Sequence, residues 1–241
     1  MAIVPTAGRT IALNGPRMPP GAGGAARQLV ILLHGYGADG ADLINLADHW
    51  RTRLPHAAFV APNAPERVPG APSGYQWFPI GGYDPDDLRQ GSPAAAARAA
   101  AMATGAAHAR ALLDRFIDAE LAAVGLEERN LALVGFSQGT MLALETGPRR
   151  AQACAGIVGF SGALIGPERL EAEMTARPPI MLVHGDSDSV VPAEAMFDAA
   201  AGLSAAGGTV EWHLRPGLGH GIDPRGLALA GHFLGQCLLQ A

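Results

Sequence analysis

Five short apolar runs separated by helix-forming stretches constrain this chain more than any other feature of its sequence. They are Leu29-Val30-Ile31-Leu32-Leu33, Ala58-Phe59-Val60-Ala61, Leu131-Ala132-Leu133-Val134, Ala155-Gly156-Ile157-Val158-Gly159-Phe160 and Ile180-Met181-Leu182-Val183. Runs of this length without polar alternation read as strands buried on both faces, and strands that alternate with helices build a mainly parallel sheet covered on both sides. A sixth run, Val210-Glu211-Trp212-His213-Leu214, is more amphipathic and follows the others. The intervening helices carry start and stop signals. Ser92-Pro93 reads as an N-cap and first helical residue, with Leu113, Phe116, Ile117, Leu121 and Val124 at helical spacing before Gly125. The Ala-rich tract 94–111 has the helix propensity to belong with it. Asp223-Pro224 opens a last helix whose buried stripe is expected to be Leu227, Ala230, Phe233, Leu234 and Cys237. At 241 residues, a single α/β domain over 1–241 is expected.

The run 131–134 leads into Gly135-Phe136-Ser137-Gln138-Gly139, the pattern of a nucleophile elbow in its required setting between strand and helix. So tight a turn strains the backbone of the central serine, and glycines on either side remove the Cβ atoms that would crowd the neighbouring chain. The helix that starts beyond Ser137 aims free N–H groups and its positive end at the same place.

A serine hydroxyl is a weak nucleophile near neutrality, so an elbow implies a histidine base and a carboxylate that orients it, in the order Ser, Asp, His. The strand 180–183 runs into His184-Gly185-Asp186-Ser187-Asp188-Ser189-Val190-Val191-Pro192. Asp188 sits farther along this loop, able to turn toward the base, and Asp186 suits shaping the turn; spacing alone favours Asp188 without settling the choice. His220, in Gly217-Leu218-Gly219-His220-Gly221, has the order and the flexible flanks for the base. His34 and His184 each end a strand before glycine, a place for hydrogen bonding to the backbone. His49, His56, His108, His213 and His232 fit structural or solvated roles.

The turn His34-Gly35-Tyr36-Gly37-Ala38-Asp39-Gly40 follows the first run and offers the Tyr36 N–H as one oxyanion donor, with the Gln138 N–H as the other. Gly35, Gly37 and Gly40 also satisfy the spacing of a dinucleotide loop, but no acidic residue closes a second strand about twenty residues on. The stretch 62–91, rich in Pro, Gly and Asp, is longer than an ordinary connection and gathers Tyr75, Trp77, Phe78 and Tyr83, as a lid or pocket wall would. The extension 1–26 has neither the basic start nor the apolar run of a signal peptide, which makes the cytoplasm the expected location.

The remaining composition excludes partners. With 17 basic against 22 acidic residues there is no basic run to follow a nucleic acid or an anionic membrane, and no apolar stretch is long enough to insert stably in a bilayer. Cys154 and Cys237 lie in apolar stretches, lack metal-site spacing and are expected to be reduced thiols.

Taken together, His34-Gly35-Tyr36-Gly37, Trp77-Phe78, Gly135-Phe136-Ser137-Gln138-Gly139, Gly185-Asp186-Ser187-Asp188 with Val191-Pro192, and Gly219-His220 resemble the phospholipase/carboxylesterase family, from about Gln28 to the end of the chain. The resemblance implies an α/β-hydrolase fold and a serine hydrolase acting on carboxyl esters, thioesters or lysophospholipids without cofactor or metal. It puts the nucleophile on Ser137, the acid on Asp188 and the base on His220, and supports Tyr36 and Gln138 as backbone donors. It further implies an acyl pocket formed by the long loop with Trp77 and Phe78, a small-molecule ester as partner, and a monomer or homodimer. Thr140, where many relatives carry glycine or another small residue, and the length of the loop 66–90 depart from the family pattern. The rival expectation is a non-catalytic ligand-binding module on the same scaffold, whose usual mark, a missing nucleophile, acid or base, is not found here.

Overall fold

The computed structural model describes residues 13–80 and 93–239. Each of the six runs forms a strand: β2 (Gln28–Leu33), β3 (Ala57–Val60), β6 (Leu131–Phe136), β7 (Gly156–Phe160), β8 (Ile180–Gly185) and β9 (Val210–Arg215). Two short elements form a small separate hairpin, β4 (Glu66–Arg67) and β5 (Tyr75–Gln76), and β1 (Arg17–Met18) joins the main sheet. The main sheet has the order β1-β3-β2-β6-β7-β8-β9 and is parallel except where β1 pairs antiparallel with β3, Arg17 opposite Val60. Sequence reading missed β1, which lies inside the extension 1–26.

Strand side chains divide between two cores with the period-2 alternation of a pleated sheet. Leu29, Ile31, Leu33, Leu131, Leu133, Ile157, Ile180 and Leu182 point to one core. Against that face pack α3 (Pro93–Val124), α4 (Gln138–Thr146), α5 (Pro167–Glu173) and α6 (Glu194–Ala205). Val30, Leu32, Ala132, Val134, Val158, Phe160, Met181 and Val183 point to the other, covered by α1 (Gly40–Ile44), α2 (Ala47–Trp50) and α7 (Pro224–Leu239). Burial on both sides explains why these strands are apolar except near their ends, where β2 has Gln28 and β8 has His184.

The helix signals act as read. Gly125 takes a left-handed φ of 67° just past α3, where only glycine avoids a Cβ penalty. Leu113, Phe116, Ile117 and Leu121 are buried, but Val124 is an exception at 36% exposed. Asp223 caps α7 by accepting from the Gly226 N–H at 2.7 Å, and Leu227, Ala230, Phe233 and Leu234 are buried beneath it, with Cys237 half-buried. Ser92 and Tyr83 lie outside the described residues. Among the described residues, no helix is long and apolar enough to cross a membrane.

Candidate active site

β6 passes into α4 through a turn in which Ser137 has φ 54° and ψ −116°, a left-handed conformation that L-residues rarely adopt. The crowding expected around it is present. A Cβ on Gly139 would be driven into the Leu33 carbonyl and lie 2.8 Å from the His34 oxygen, and one on Gly135 would enter the backbone of Gly139 and Thr140. The strained turn is held from outside: the Ser137 N–H donates to the Phe160 carbonyl at 2.8 Å, and the Thr140 hydroxyl donates to the same carbonyl at 2.8 Å.

Loops from the ends of β8 and β9 bring two more side chains to the serine. His220 Nε2 lies 3.0 Å from Ser137 Oγ, and its Nδ1 lies 2.8 Å from Asp188 Oδ2. Because a carboxylate only accepts, Nδ1 carries the proton and Nε2 is left to accept from the serine hydroxyl. Asp188 is buried, and its Oδ1 accepts from the N–H groups of Val190 and Val191, each at 2.9 Å. Asp186 takes the part of turn-former: its Oδ1 accepts from the Gly217 N–H at 2.7 Å, joining the two loops. The His220 ring rests on Phe136, with centroids 5.0 Å apart. The loop that carries it is bracketed by Arg215, whose guanidinium holds the Asp223 carboxylate at 3.0 Å.

Sequence reasoning missed one member of this constellation. His184 is buried; its Nε2 donates to the Val191 carbonyl at 2.8 Å and lies 3.3 Å from Asp188 Oδ2. The expected backbone bond is there, but the imidazole also touches the carboxylate that faces His220. A histidine four residues ahead of an aspartate was the available signal.

The first turn lies against the elbow. A Cβ on Gly35 would be 3.3 Å from Ser137 Cβ. Neighbouring donors are spent, Gly37 N–H on the Tyr75 carbonyl at 2.9 Å and Ala38 N–H on Gly35 at 3.3 Å, while the Gln138 N–H heads a helix and has no intrahelical acceptor. The dinucleotide alternative fails on chemistry: the helix after the Gly-rich turn is capped by Asp39, which accepts from the Ala41 and Asp42 N–H groups at 2.8 and 3.3 Å where a phosphate would need them.

His34 is fully buried and satisfies both ring nitrogens with backbone, Nδ1 with the Gly35 carbonyl at 2.8 Å and Nε2 with the Ala64 N–H at 2.9 Å. Since an N–H donates to Nε2, the imidazole is the neutral Nδ1–H tautomer. Burial lowers its pKa below 6.5, opposed by the Gly35 hydrogen bond. The sign follows: the unfolded chain takes up a proton more readily than the folded one, so stability present above pH 6.5 is lost as pH falls below that value toward the folded pKa. Urea midpoints measured at pH 7 and pH 5 should show a smaller acid loss in His34→Gln than in the wild type.

Trp77 and Phe78 require a correction. Their side chains are 2% and 1% exposed and do not form the wall of an open pocket. Trp77 Nε1 donates to the His34 carbonyl at 2.9 Å, and a Cβ on Gly105 of α3 would lie 2.9 Å from Phe78 Cβ. The rings turn inward because the backbone between them is held by Gln138, whose Oε1 accepts from the Trp77 N–H at 2.9 Å and whose Nε2 donates to the Phe78 carbonyl at 2.7 Å. Trp77→Phe keeps most of the packing but leaves a buried carbonyl short of a donor, and should cost about 1–3 kcal/mol in chemical denaturation.

An open cavity lies elsewhere. About 470 Å³ in volume, it is lined by Ala99 and Ala103 of α3, Met141 of α4, Leu164 and Ile165 after β7, and Ala199 of α6, with Glu168 and Asp198 the charged groups in its lining. Met141 is one helical turn beyond Ser137, to whose carbonyl its N–H donates at 3.2 Å. The loop after β7 also starts against the elbow: a Cβ on Gly162 would lie 2.9 Å from the Ser137 carbonyl oxygen.

A mostly parallel sheet with helices on both faces, and a strained serine between strand and helix facing a histidine and an aspartate from later loops, define an α/β-hydrolase. Within that class the chain belongs to the phospholipase/carboxylesterase family, whose model matches residues 21–238. It is 28% identical over 209 residues to esterase YpfH of Escherichia coli, covering 85% of this chain and 81% of that one. It is 32% identical over 177 residues to acyl-protein thioesterase 1 of Saccharomyces cerevisiae, covering 69% and 73% of the two chains. The solved structure of esterase PE8 is similar at 42% identity and a TM-score of 0.85, covering 95% of this chain and 100% of the other. The chain is a carboxylic ester hydrolase of this family.

Proposed function

We propose that the enzyme hydrolyses carboxyl esters of small molecules through an acyl-enzyme on Ser137. The observation that carries this reading is the unbroken relay from Ser137 Oγ to His220 Nε2 at 3.0 Å and from His220 Nδ1 to Asp188 at 2.8 Å. His220 takes the serine proton as Oγ attacks the carbonyl, and Asp188 keeps the ring in the tautomer that can accept it. The N–H groups of Tyr36 and Gln138 receive the oxyanion. Collapse of the tetrahedral intermediate expels the alcohol, protonated by His220; water activated by the same ring then releases the acid and restores Ser137.

The cavity beside Met141 is the acyl site in this proposal. Its alanine-rich lining suits an apolar acyl group, and its size suits a small organic substrate. Thioesters and lysophospholipids with such a group fall within the same chemistry. The cytoplasm belongs to the proposal as well, since the two free cysteines suit a reducing compartment.

The experiment is intact mass after treatment with a fluorophosphonate probe, on wild type and Ser137→Ala side by side. One adduct on wild type and none on the variant is the expected result. A folded wild type that takes no adduct would replace this reading with that of a ligand-binding module on a hydrolase scaffold.

A further inference from the structure

β9 closes one end of the main sheet, and among the described residues no strand pairs with its outer side. Its pairing with β8 fixes which backbone groups face outward. The Thr209 carbonyl accepts from Ile180 at 3.0 Å and the Arg215 carbonyl from Asp186 at 3.1 Å, so odd-numbered residues turn their polar groups toward β8. Along a strand these directions alternate, which leaves the N–H and C=O groups of Val210, Trp212 and Leu214 facing out. The strand contains neither Pro nor Lys, the residues that commonly protect such an edge.

The side chains at this edge are those of a contact surface. Trp212 is 49% exposed and Phe197 of α6 is 39% exposed, and the two rings meet edge-to-face with centroids 5.1 Å apart. An aromatic pair presented beside open backbone donors and acceptors suits an added strand. Glu211, His213 and Arg215 occupy the opposite face of the same strand.

We propose that the partner is a second copy of this chain, added antiparallel through β9 about a two-fold axis at His213. That register sets Glu211 of each copy opposite Arg215 of the other, whose guanidinium would bridge that carboxylate and the Asp223 it already holds, on both sides of the axis. On the other face it sets Trp212 opposite Leu214, both with outward backbone groups, so these residues exchange N–H···O=C bonds. Moving the axis to Trp212 would oppose Glu211 with His213 and leave Arg215 without an acidic residue across from it. Charge therefore selects the His213 register. The two sheets become one continuous sheet.

Sedimentation velocity on the full chain at micromolar concentrations tests the proposal. The wild type is expected at twice the 24.7 kDa chain mass. Glu211→Arg, which sets arginine against arginine, and Trp212→Glu are each expected to sediment as monomers while retaining hydrolysis of a small aryl ester. The register is tested separately with His213→Cys. Residue 213 faces itself across the axis as a non-hydrogen-bonded pair, with Cα atoms about 4.5 Å apart, within disulfide reach. A covalent dimer should form on oxidation of His213→Cys and not of wild type or Trp212→Cys. A monomeric wild type, or a dimer unaffected by both charge-introducing variants, would overturn the proposal; a dimer that His213→Cys fails to cross-link would overturn the register.

Discussion

Ser137→Ala should reduce kcat for ester hydrolysis by about 10⁵-fold or more while leaving the urea midpoint close to that of the wild type. In a serine hydrolase, removing the nucleophile costs about as much as removing the whole triad, on the order of 10⁶ in kcat, because the three residues act as one unit. The fold should tolerate the change, since the lost hydroxyl makes a single hydrogen bond to His220. Alanine also demands no more of the φ 54° conformation than serine does. Steady-state kinetics beside denaturation curves checks both halves. A folded variant that retains more than a small fraction of turnover would move the nucleophile away from this turn.

Gly139→Ala should have the opposite profile, with a large loss of stability as its first effect. The added Cβ would meet the Leu33 carbonyl and the His34 oxygen, backbone atoms at the end of β2 and just beyond it that cannot rotate away as a side chain could. A clash with backbone is costlier than ordinary overpacking, and about 4 kcal/mol is expected. Set against a total stability of about 5–15 kcal/mol, that removes about a quarter of the margin at the upper end and leaves only about 1 kcal/mol at the lower. Gly221→Ala is the control: a Cβ there meets nothing within 4 Å and no left-handed backbone opposes it, so its urea midpoint should stay within about 1 kcal/mol of wild type. Equal losses in the two variants would mean that the elbow is not as tightly packed as its geometry requires.

What could be read from the sequence followed from where burial leaves a signature. Strands β2, β6, β7 and β8 were legible because both faces are covered, so all their positions but Gln28 and His184 are apolar. β1 was not: two residues at a sheet edge, one of them exposed, are too few to show a period. The meeting of Ser137, Asp188 and His220 was legible because each lies in a glycine-rich turn after a recognisable strand, in a fixed chain order. Trp77 and Phe78 were misread because aromatic residues in a long Pro- and Gly-rich stretch look alike whether their rings turn outward to a ligand or inward to a core. The direction is set by Gln138, sixty residues away, through hydrogen bonds that no local pattern reveals. The second contact of His184 escaped for a similar reason, since a histidine that bonds to backbone gives no sign of what else its ring touches.

The grip of Gln138 on residues 77 and 78 sets the boundary of any loop exchange with a relative. The segment leaving the hairpin and the residue after the serine form one mechanical part, because a single side-chain amide supplies both a donor and an acceptor to the same stretch of backbone. A graft that replaces 62–80 while keeping Gln138 inherits that clamp only if its own backbone offers an N–H and a carbonyl at the same two places. Where it does not, the replaced loop alters the position of the α4 N-terminus, and a change meant to widen substrate choice is registered in turnover. Substitution is therefore expected to be freer at the alanines around the cavity, whose side chains take no part in the hydrogen bonds of the clamp, than in the aromatic stretch.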